Sequence, residues 1–215
     1  LIFFKKGENM ETQDLISEVK LFVCGDVKTP QRAKGDAGID LYVPNFSEQF
    51  IKDLTEKNPG QPIKWQIQPT LLSEDEFKED PNKSGFILLS PHEDLLIPTY
   101  VKSLIPEDIY LRMANKSGVC TKQKLVVGAE VIDSSYEGII HMHVFNNSNT
   151  AKIIQFGQKF CQMIPEKYSN SEIEVWYDTN LPQFEEMKNR TTVEDFYKDH
   201  KSERGEGGFG STSLK

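Results

Sequence analysis

The chain of 215 residues has no hydrophobic run near the roughly 20 residues that a membrane-spanning helix needs. The opening stretch, residues 1–4, is too short for the hydrophobic region of a signal peptide, and no small-residue cleavage site follows it. We therefore expect no membrane partner. Met10 is a candidate translation start, which makes residues 1–9 candidates for upstream or non-native sequence.

Cysteine is also scarce. Cys24, Cys120 and Cys161 are the three in the chain, they lie far apart, and no pair has CxxC spacing. This excludes a disulfide framework and gives no sign of a structural zinc site. A reducing compartment fits best, so we expect the cytoplasm, or the host-cell cytoplasm if the source is viral.

Positive charge is in deficit. The 25 Lys and Arg residues against 33 Asp and Glu give a formal net charge of −8. Because phosphate backbones bind to basic faces, this balance argues against stable nucleic-acid binding. The length allows one domain with decorations, and a hydrophobic content of 37% is enough for a core.

Short runs of strand composition dominate the chain, and Gly, Pro, Asn and Asp separate them. Many short strands at regular spacing predict an all-β sandwich, barrel or jelly roll. The expected strands are Val19–Cys24, Gly38–Val43, Trp65–Ile67, Phe86–Leu89, Leu95–Val101, Ile109–Met113, Lys124–Val127, Ile139–Phe145, Lys152–Phe156, Lys159–Ile164 and Ile173–Tyr177.

Three patches have helical patterns. Residues 47–57 place Phe50, Ile51 and Leu54 on one face, and an Asn-Pro-Gly sequence ends the pattern. Residues 73–76 have capping-box spacing. A third patch follows two threonines at 191–192 and places Val193, Phe196 and Tyr197 together. The polar stretch 45–84 is expected to be an insertion that packs as a helical appendage on the outside of the β fold, with its apolar face covering a patch of the barrel or a neighbouring chain.

The end of the chain, residues 204–213, is rich in Gly and Ser. That composition alone is typical of a flexible linker. However, glycines can form an anion-binding nest, Arg204 offers a planar phosphate fork, and Phe209 can stack on a base. With the hydroxyls of Ser211 and Thr212, these features favour a lid that closes over a nucleotide.

Residues 127–138 lie between two β runs and predict a hairpin. One interpretation is an ordinary turn with an exposed Asp133 and a packed Tyr136. The other is a pocket rim, in which the carboxylate serves as a general base and the ring as a wall.

Five segments in order resemble the five motifs of the homotrimeric, all-β dUTP pyrophosphatase (dUTPase) family. They are Ala37–Leu41, Asn115–Gly118, Gly128–Gly138, Gly157–Ile164 and Arg204–Ser213. The resemblance implies a distorted jelly-roll barrel with short helical insertions. It implies a β domain at 19–178 after an extension at 1–18, a linker with a short helix at 179–201, and the lid at 202–215.

The resemblance also implies the chemistry. Asp133 would activate a water that attacks the α-phosphorus of dUTP, giving dUMP and pyrophosphate. Asp40 would act through waters around the Mg²⁺ that the triphosphate chelates. The remaining implied substrate contacts are Lys116, Ser117, Gly118, Gly128, Val131, Tyr136, Gln162, Arg204, Phe209, Gly210, Ser211 and Thr212. Active sites would be shared between the subunits of a homotrimer, and the insertions could contact a protein partner.

Several positions depart from the family pattern. Lys116 stands where Arg is usual, and Gln158-Lys159 replaces a usual Asp-Arg, so the two losses look coupled. Glu130 replaces a small residue, and Ser135 replaces a common acid. The presumed base, the sugar-stacking Tyr136 and the lid are all retained.

Two other functions stay open. A dCTP deaminase shares this fold and needs an acid at the base, which Glu130 could supply, although that family usually lacks the Gly-rich lid. A regulatory protein on a dUTPase scaffold would use the insertions, but should have lost the catalytic motifs. His141 and His143 share a strand face, and without a third ligand we expect them to be packed or at an interface.

Overall fold

The protein is described by a computed structural model that covers residues 18–67, 85–169 and 171–199. The strands in these ranges are short. They are β1 Lys20–Val23, β2 Ile39–Tyr42, β3 Lys64–Ile67, β4 Gly85–Leu89, β5 Asp94–Pro98, β6 Val101–Leu104, β7 Ile109–Asn115, β8 Leu125–Gly128, β9 Val131–Ile132, β10 His141–Asn146, β11 Lys152–Gln155, β12 Lys159–Lys167, β13 Tyr177–Asp178 and β14 Arg190–Thr191.

The helical segments are fewer. They are α1 Glu48–Lys57, a π-helical turn Val119–Gln123, a 3₁₀ turn Pro182–Phe184 and a short helix Val193–Phe196. None of the helices in the described ranges is long and apolar enough to cross a bilayer. The described residues divide into two units, one ending at Ser169 and one following it.

The first unit is built from small antiparallel sheets. Their strand orders are β1-β6, β5-β10-β8, β11-β4-β3 and β2-β12-β7-β9. Their inner faces share one apolar core, in which the fully buried side chains include Leu41, Ile97, Leu111, Met142 and Ile154. The all-β prediction is therefore confirmed.

The expected strand Leu95–Val101 is wrong as a single strand, because the chain turns at Tyr100. Tyr100 has a φ of 54°, in the left-handed region, so β5 and β6 are separate strands in different sheets. Its hydroxyl donates to Asp53 of helix α1 over 2.6 Å, and its burial, together with this hydrogen bond, raises the pKa of Tyr100 above the usual value. Gly25 packs so close to this ring that a Cβ there would lie 2.5 Å from it.

Helix α1 forms as the sequence predicts. Ser47 caps it by accepting a hydrogen bond from the N–H of Phe50, and Asn58 ends it. Its apolar face packs on the β fold as the sequence predicts, since Phe50 and Leu54 have no solvent exposure and belong to the main core. The Asn58 side chain also donates to and accepts from the backbone of Leu96 in β5. The helix is thus an integral wall of the β fold.

The second unit contains the parallel pair β13-β14, the 3₁₀ turn and the short helix. Thr192 caps that helix as expected, with its hydroxyl accepting from the N–H of Asp195 over 3.1 Å. The predicted strand Ile173–Tyr177 is wrong, since only its last residue lies in a strand and Ile173 is 89% exposed. The predicted capping box at 73–76 and the whole of the predicted lid lie outside the described residues.

Candidate active site

The four-stranded sheet β2-β12-β7-β9 aligns segments that are distant in sequence. Its register sets Asp40 of β2 opposite Gln162 of β12, and Cys161 opposite Asn115 at the end of β7. Residues of the predicted first, fourth and second motifs therefore lie side by side at one end of one sheet. This juxtaposition is a product of strand pairing and has no local signal in the sequence.

Asp40 is the electrostatic centre of that end. It is buried, its Oδ1 accepts from the ammonium group of Lys116, and its Oδ2 accepts from Lys159 over 2.6 Å. Burial raises the pKa of Asp40, but the hydrogen bonds and charges of the two lysines outweigh it and leave this pKa below the usual value. The hydrogen bond to Asp40 likewise raises the pKa of Lys159. Asp40 thus stays ionised and the ammonium group of Lys159 stays charged at neutral pH.

Ser117 and Gly118 follow directly on the end of β7 and are exposed. The chain enters the π-helical turn there. The N–H of Cys120 donates to the carbonyl of Lys116, and the hydroxyl of Thr121 donates to the backbone carbonyl of Ser117. A Cβ at Gly118 would meet no atom within 4 Å. Ser117 and Gly118 therefore lie at the surface of this turn, where a ligand can reach them.

Gln162 lies beside Asp40, and its amide donates to the carbonyl of Asn115 over 3.1 Å. Gly38, at the start of the first motif, packs against this side chain so closely that a Cβ there would lie 2.3 Å from Oε1. Glycine at position 38 is thus what admits Gln162 to this end of the sheet.

The strands that flank the third segment pair as a hairpin. β8 and β10 are antiparallel, with Gly128 opposite His143. Within the loop, however, β9 joins a different sheet, where Val131 lies opposite Arg112 of β7. The simple hairpin of the prediction is thus corrected to a hairpin whose loop crosses between two sheets. Gly128 and Val131 lie on either side of this crossing, in β8 and β9, and Val131 is exposed.

Asp133 and Tyr136 form a turn directly after β9. The N–H of Tyr136 bonds to the carbonyl of Asp133 over 3.1 Å, and the Tyr136 hydroxyl donates to the carbonyl of Ile139 over 2.8 Å. Asp133 is exposed, and Tyr136 is 41% exposed. A carboxylate and a ring face are therefore both presented to solvent at one turn.

Asp133 does not lie beside the phosphate-side residues of the same chain. Ile132, its neighbour, is opposite Leu111, whereas Asn115 is four residues further along β7. At about 3.3 Å per residue the two positions are separated by about 13 Å along the strand. One copy of the chain therefore does not bring the candidate base to Ser117.

A second polar cluster on β7 and β12 was missed by sequence reasoning. Arg112 makes a 2.7 Å ion pair with Glu166, which also accepts from the hydroxyl of Tyr110. The hydrogen bonds from Arg112 and Tyr110 lower the pKa of Glu166. Arg112 and Tyr110 are 54 and 56 positions before Glu166 in the sequence, so no local spacing pattern could have predicted these contacts.

The two histidines of β10 have different surroundings. His143 Nε2 lies 2.7 Å from a carboxylate oxygen of Asp94, while His141 Nε2 is buried without a hydrogen-bond partner. Burial and then the charge of Lys57 lower the pKa of His141. Within residues 18–67, 85–169 and 171–199, no group of three or more His, Cys, Asp or Glu could hold a metal ion.

Arg204, Phe209, Gly210, Ser211 and Thr212, predicted to form the lid, lie outside the described residues. The described part of the candidate site thus comprises the phosphate-side cluster around Asp40, the exposed turn at Ser117 and the Asp133–Tyr136 turn.

Comparison with known families relates the chain to dUTPases. The family model described as dUTPase matches residues 84–192, about half of the chain. A deoxyuridine 5'-triphosphate nucleotidohydrolase of Oryza sativa subsp. japonica is 32% identical over 135 residues, which cover 63% of this chain and 67% of that protein. The enzyme of the same name from Mus musculus is 32% identical over 124 residues, covering 58% and 64%. The matched region thus spans about two thirds of these relatives.

Solved structures show the same fold at lower identity. The dUTPase of Staphylococcus bacteriophage 80alpha with dUPNHPP has a TM-score of 0.54 and 18% identity, covering 92% of this chain and 99% of that one. The dUTPase of phage phi11 of S. aureus has a TM-score of 0.51 and 17% identity, covering 74% and 95%. At this level of identity the likeness concerns the fold.

Proposed function

The chain belongs to the dUTPase family, and on that premise we propose that it hydrolyses dUTP to dUMP and pyrophosphate. The observation that carries this proposal is the register of β2, β12 and β7, which sets Asp40, Gln162 and Asn115 side by side next to the exposed Ser117. Such a hydrolase limits the incorporation of uracil into DNA and supplies dUMP for the synthesis of dTMP.

In this proposal Asp133 orients and deprotonates the attacking water. A carboxylate can accept a proton from a water that it positions by hydrogen bonding. Tyr136, whose ring is partly open, packs against the deoxyribose and leaves no room for a 2′-hydroxyl. The backbone of residues 127–133, with Gly128 and Val131, pairs with the uracil edge. Phosphoryl transfer needs mainly positioning and charge stabilisation, which these parts supply.

The proposed base can be tested directly. Asp133→Asn preserves size and hydrogen-bonding capacity but cannot accept the proton, so pyrophosphate release should fall by a factor of about 100 or more. Binding of dUMP, measured by calorimetry, should stay within a few-fold of wild type. Full turnover in this variant would overturn the assignment.

We propose that Mg²⁺ accompanies the triphosphate. The absence of a three-ligand cluster among the described residues suits an ion held by phosphate oxygens and waters. A carboxylate has about four lone-pair sites, so Asp40 can accept from a bound water in addition to its two lysines. The ion would supply charge neutralisation on the phosphates. A phi11 dUTPase variant is described as coordinating a structural Mg(II) ion.

We further propose a homotrimer with shared active sites. The supporting observation is that Leu111, which lies opposite the neighbour of Asp133, is about 13 Å along β7 from Asn115, so a second copy is needed to bring its own Asp133 to Ser117. The lid residues, Arg204 and Phe209 to Thr212, would then clamp the outer phosphates and cover the uracil.

Mixed subunits test the sharing. A chain with Asp133→Asn and a chain truncated before Ser202 should each be inactive, and mixed trimers should regain part of the activity. Mixed trimers without rescue would contradict shared sites, as would a monomeric protein by light scattering.

A further inference from the structure

Strand β12 carries an irregularity between Lys159 and Cys161 that changes which face each side chain occupies. In a regular strand successive side chains alternate between faces. Here Phe160 and Cys161 are both buried, at 1% and 0% exposure, so both point into the core. Such a bulge re-aims the preceding side chain, and bulges are frequent next to active sites.

The result is that Lys159 reaches the face that carries Asp40. Without the irregularity Lys159 would share the inner face of Cys161. Instead its ammonium group bonds to Asp40 over 2.6 Å, and it lies 5.9 Å from the ring centroid of Tyr42. The ring of Tyr42 also has the ammonium group of Lys28 at 5.8 Å.

These groups leave an excess of positive charge. Lys28, Lys116 and Lys159 contribute three positive charges, and Asp40 with the nearby Asp36 contributes two negative ones. The local surplus stands out in a chain whose net charge is −8. One ammonium group is enough to neutralise Asp40, which leaves the charge of the second for an anionic ligand.

The second ammonium group is available for that use. The Lys159 side chain is 46% exposed, and an ammonium group has three donors, of which Asp40 takes one. The lysine end of this ion pair is exposed, and Asp40 is already paired with Lys116, so the bulge delivers Lys159 to a place where it can also meet an anion from solvent.

We propose that Lys159 binds an outer phosphate oxygen of the nucleotide together with Lys116, and that Asp40 is the positioning residue that holds both ammonium groups in place. The inference rests on the proposed function, since it takes a nucleoside triphosphate as the ligand. It assigns to Lys159 a role that its position in the motif did not predict, and it gives Asp40 a second task beside the contact to a metal-bound water.

Calorimetric titration of the full-length protein tests the phosphate contact, with dUMP, dUDP and inorganic triphosphate as probes. Lys159→Gln should weaken the binding of dUDP and of inorganic triphosphate about tenfold, because one charge-assisted hydrogen bond is lost. Its dUMP affinity should stay within twofold. Lys159→Arg should restore most of the loss. Lys167→Gln is the matched control, because Lys167 is an exposed lysine at the far end of the same strand and should leave all three affinities unchanged.

The positioning role of Asp40 has its own readout. In an Asp40→Asn background the two ammonium groups are no longer held, so adding Lys159→Gln should cost less than threefold in triphosphate affinity. An unchanged tenfold cost would show that Lys159 acts without Asp40 and would overturn the positioning role. Asp40→Asn should also raise KM for dUTP more than it lowers kcat.

The outcomes separate this inference from the proposed function. Wild-type protein that hydrolyses dUTP, with a Lys159→Gln variant that binds dUDP and inorganic triphosphate normally, would overturn the inference and leave the function intact. Protein that does not hydrolyse dUTP but binds inorganic triphosphate in a Lys159-dependent way would overturn the function and retain the anion site. Equal losses for dUMP and dUDP would contradict the outer-phosphate assignment.

Discussion

The side chain of Asn115 accepts a hydrogen bond from the backbone N–H of Val127, with 2.8 Å between Oδ1 and N. Asn115 ends β7 and opens the second motif, whereas Val127 lies in β8 just before the third. Within one chain this bond joins the backbone proposed to hold the uracil to the turn proposed to hold phosphates, and in a shared-site homotrimer these two parts serve neighbouring sites.

Asn115→Ala should weaken both the fold and the site. The Val127 N–H would lose its partner, at a cost of about 1–3 kcal/mol in the free energy of unfolding. We expect a lower Tm and a raised KM for dUTP, measured by calorimetry and steady-state kinetics. Asn115→Asp retains the acceptor oxygen and should stay closer to wild type in both. Equal losses in the two variants would refute the role of the hydrogen bond.

Gly138→Ala should displace Tyr136. A Cβ at Gly138 would lie 2.4 Å from the Tyr136 hydroxyl, so the ring must leave its bond to Ile139. We expect kcat/KM for dUTP to fall about tenfold, or about 1.4 kcal/mol. In a Tyr136→Ala background the same change should have almost no further effect, because the displaced ring is already absent. Additive losses would place the effect of Gly138 elsewhere.

Phe50→Ala should destabilise the whole β domain. The Phe50 ring is fully buried and contacts the rings of Tyr100 and Phe156, so its removal leaves a cavity at a cost of about 3–5 kcal/mol. Denaturant unfolding measures this cost, and the exposed Lys52→Ala on the same helix is the control. Replacing residues 47–83 with a linker should therefore impair folding. A linker variant with wild-type stability would show that helix α1 does not support the core of the β domain.

His141 should make stability depend on pH. Its pKa is lower in the folded state than the unfolded value near 6.5, so the folded state takes up its proton less readily. The contribution of neutral His141 to the free energy of unfolding is complete above pH 6.5 and is lost as the pH falls through the pKa of the folded state. As the pH is lowered from 7 to 5, wild type should therefore lose stability relative to the His141→Leu variant. A difference independent of pH would show that His141 does not titrate in this way.

Much of the architecture could be predicted from local composition. The strands, the helix from Ser47 and the cap at Thr192 depend on local side-chain pattern and hydrogen bonds, which the sequence displays. The break at Tyr100 could not, because a tyrosine in the left-handed region has no local signature. The predicted strand Ile173–Tyr177 was wrong although its local pattern was right, because an alternating run forms a strand only where a partner strand is available.

The site was predictable as a set of motifs but not as a geometry. Gly38, Asp133 and Tyr136 were recognised through their segments. The pairing of Asp40 with Lys116 and Lys159 depends on sheet register and on one bulge, which are settled by long-range packing. The coupled departures at Lys116 and Gln158-Lys159 were visible in the sequence, and the structure shows Asp40 as the acid that both lysines share.

The central claim is tested most directly by the release of pyrophosphate from dUTP, dTTP, dCTP and UTP by the wild-type protein, with and without Mg²⁺, together with an assay of ammonia from dCTP. The account predicts rapid release from dUTP with Mg²⁺, release at least about 100-fold slower from the other three nucleotides, and no ammonia. Absence of release from dUTP, or ammonia from dCTP, would contradict it.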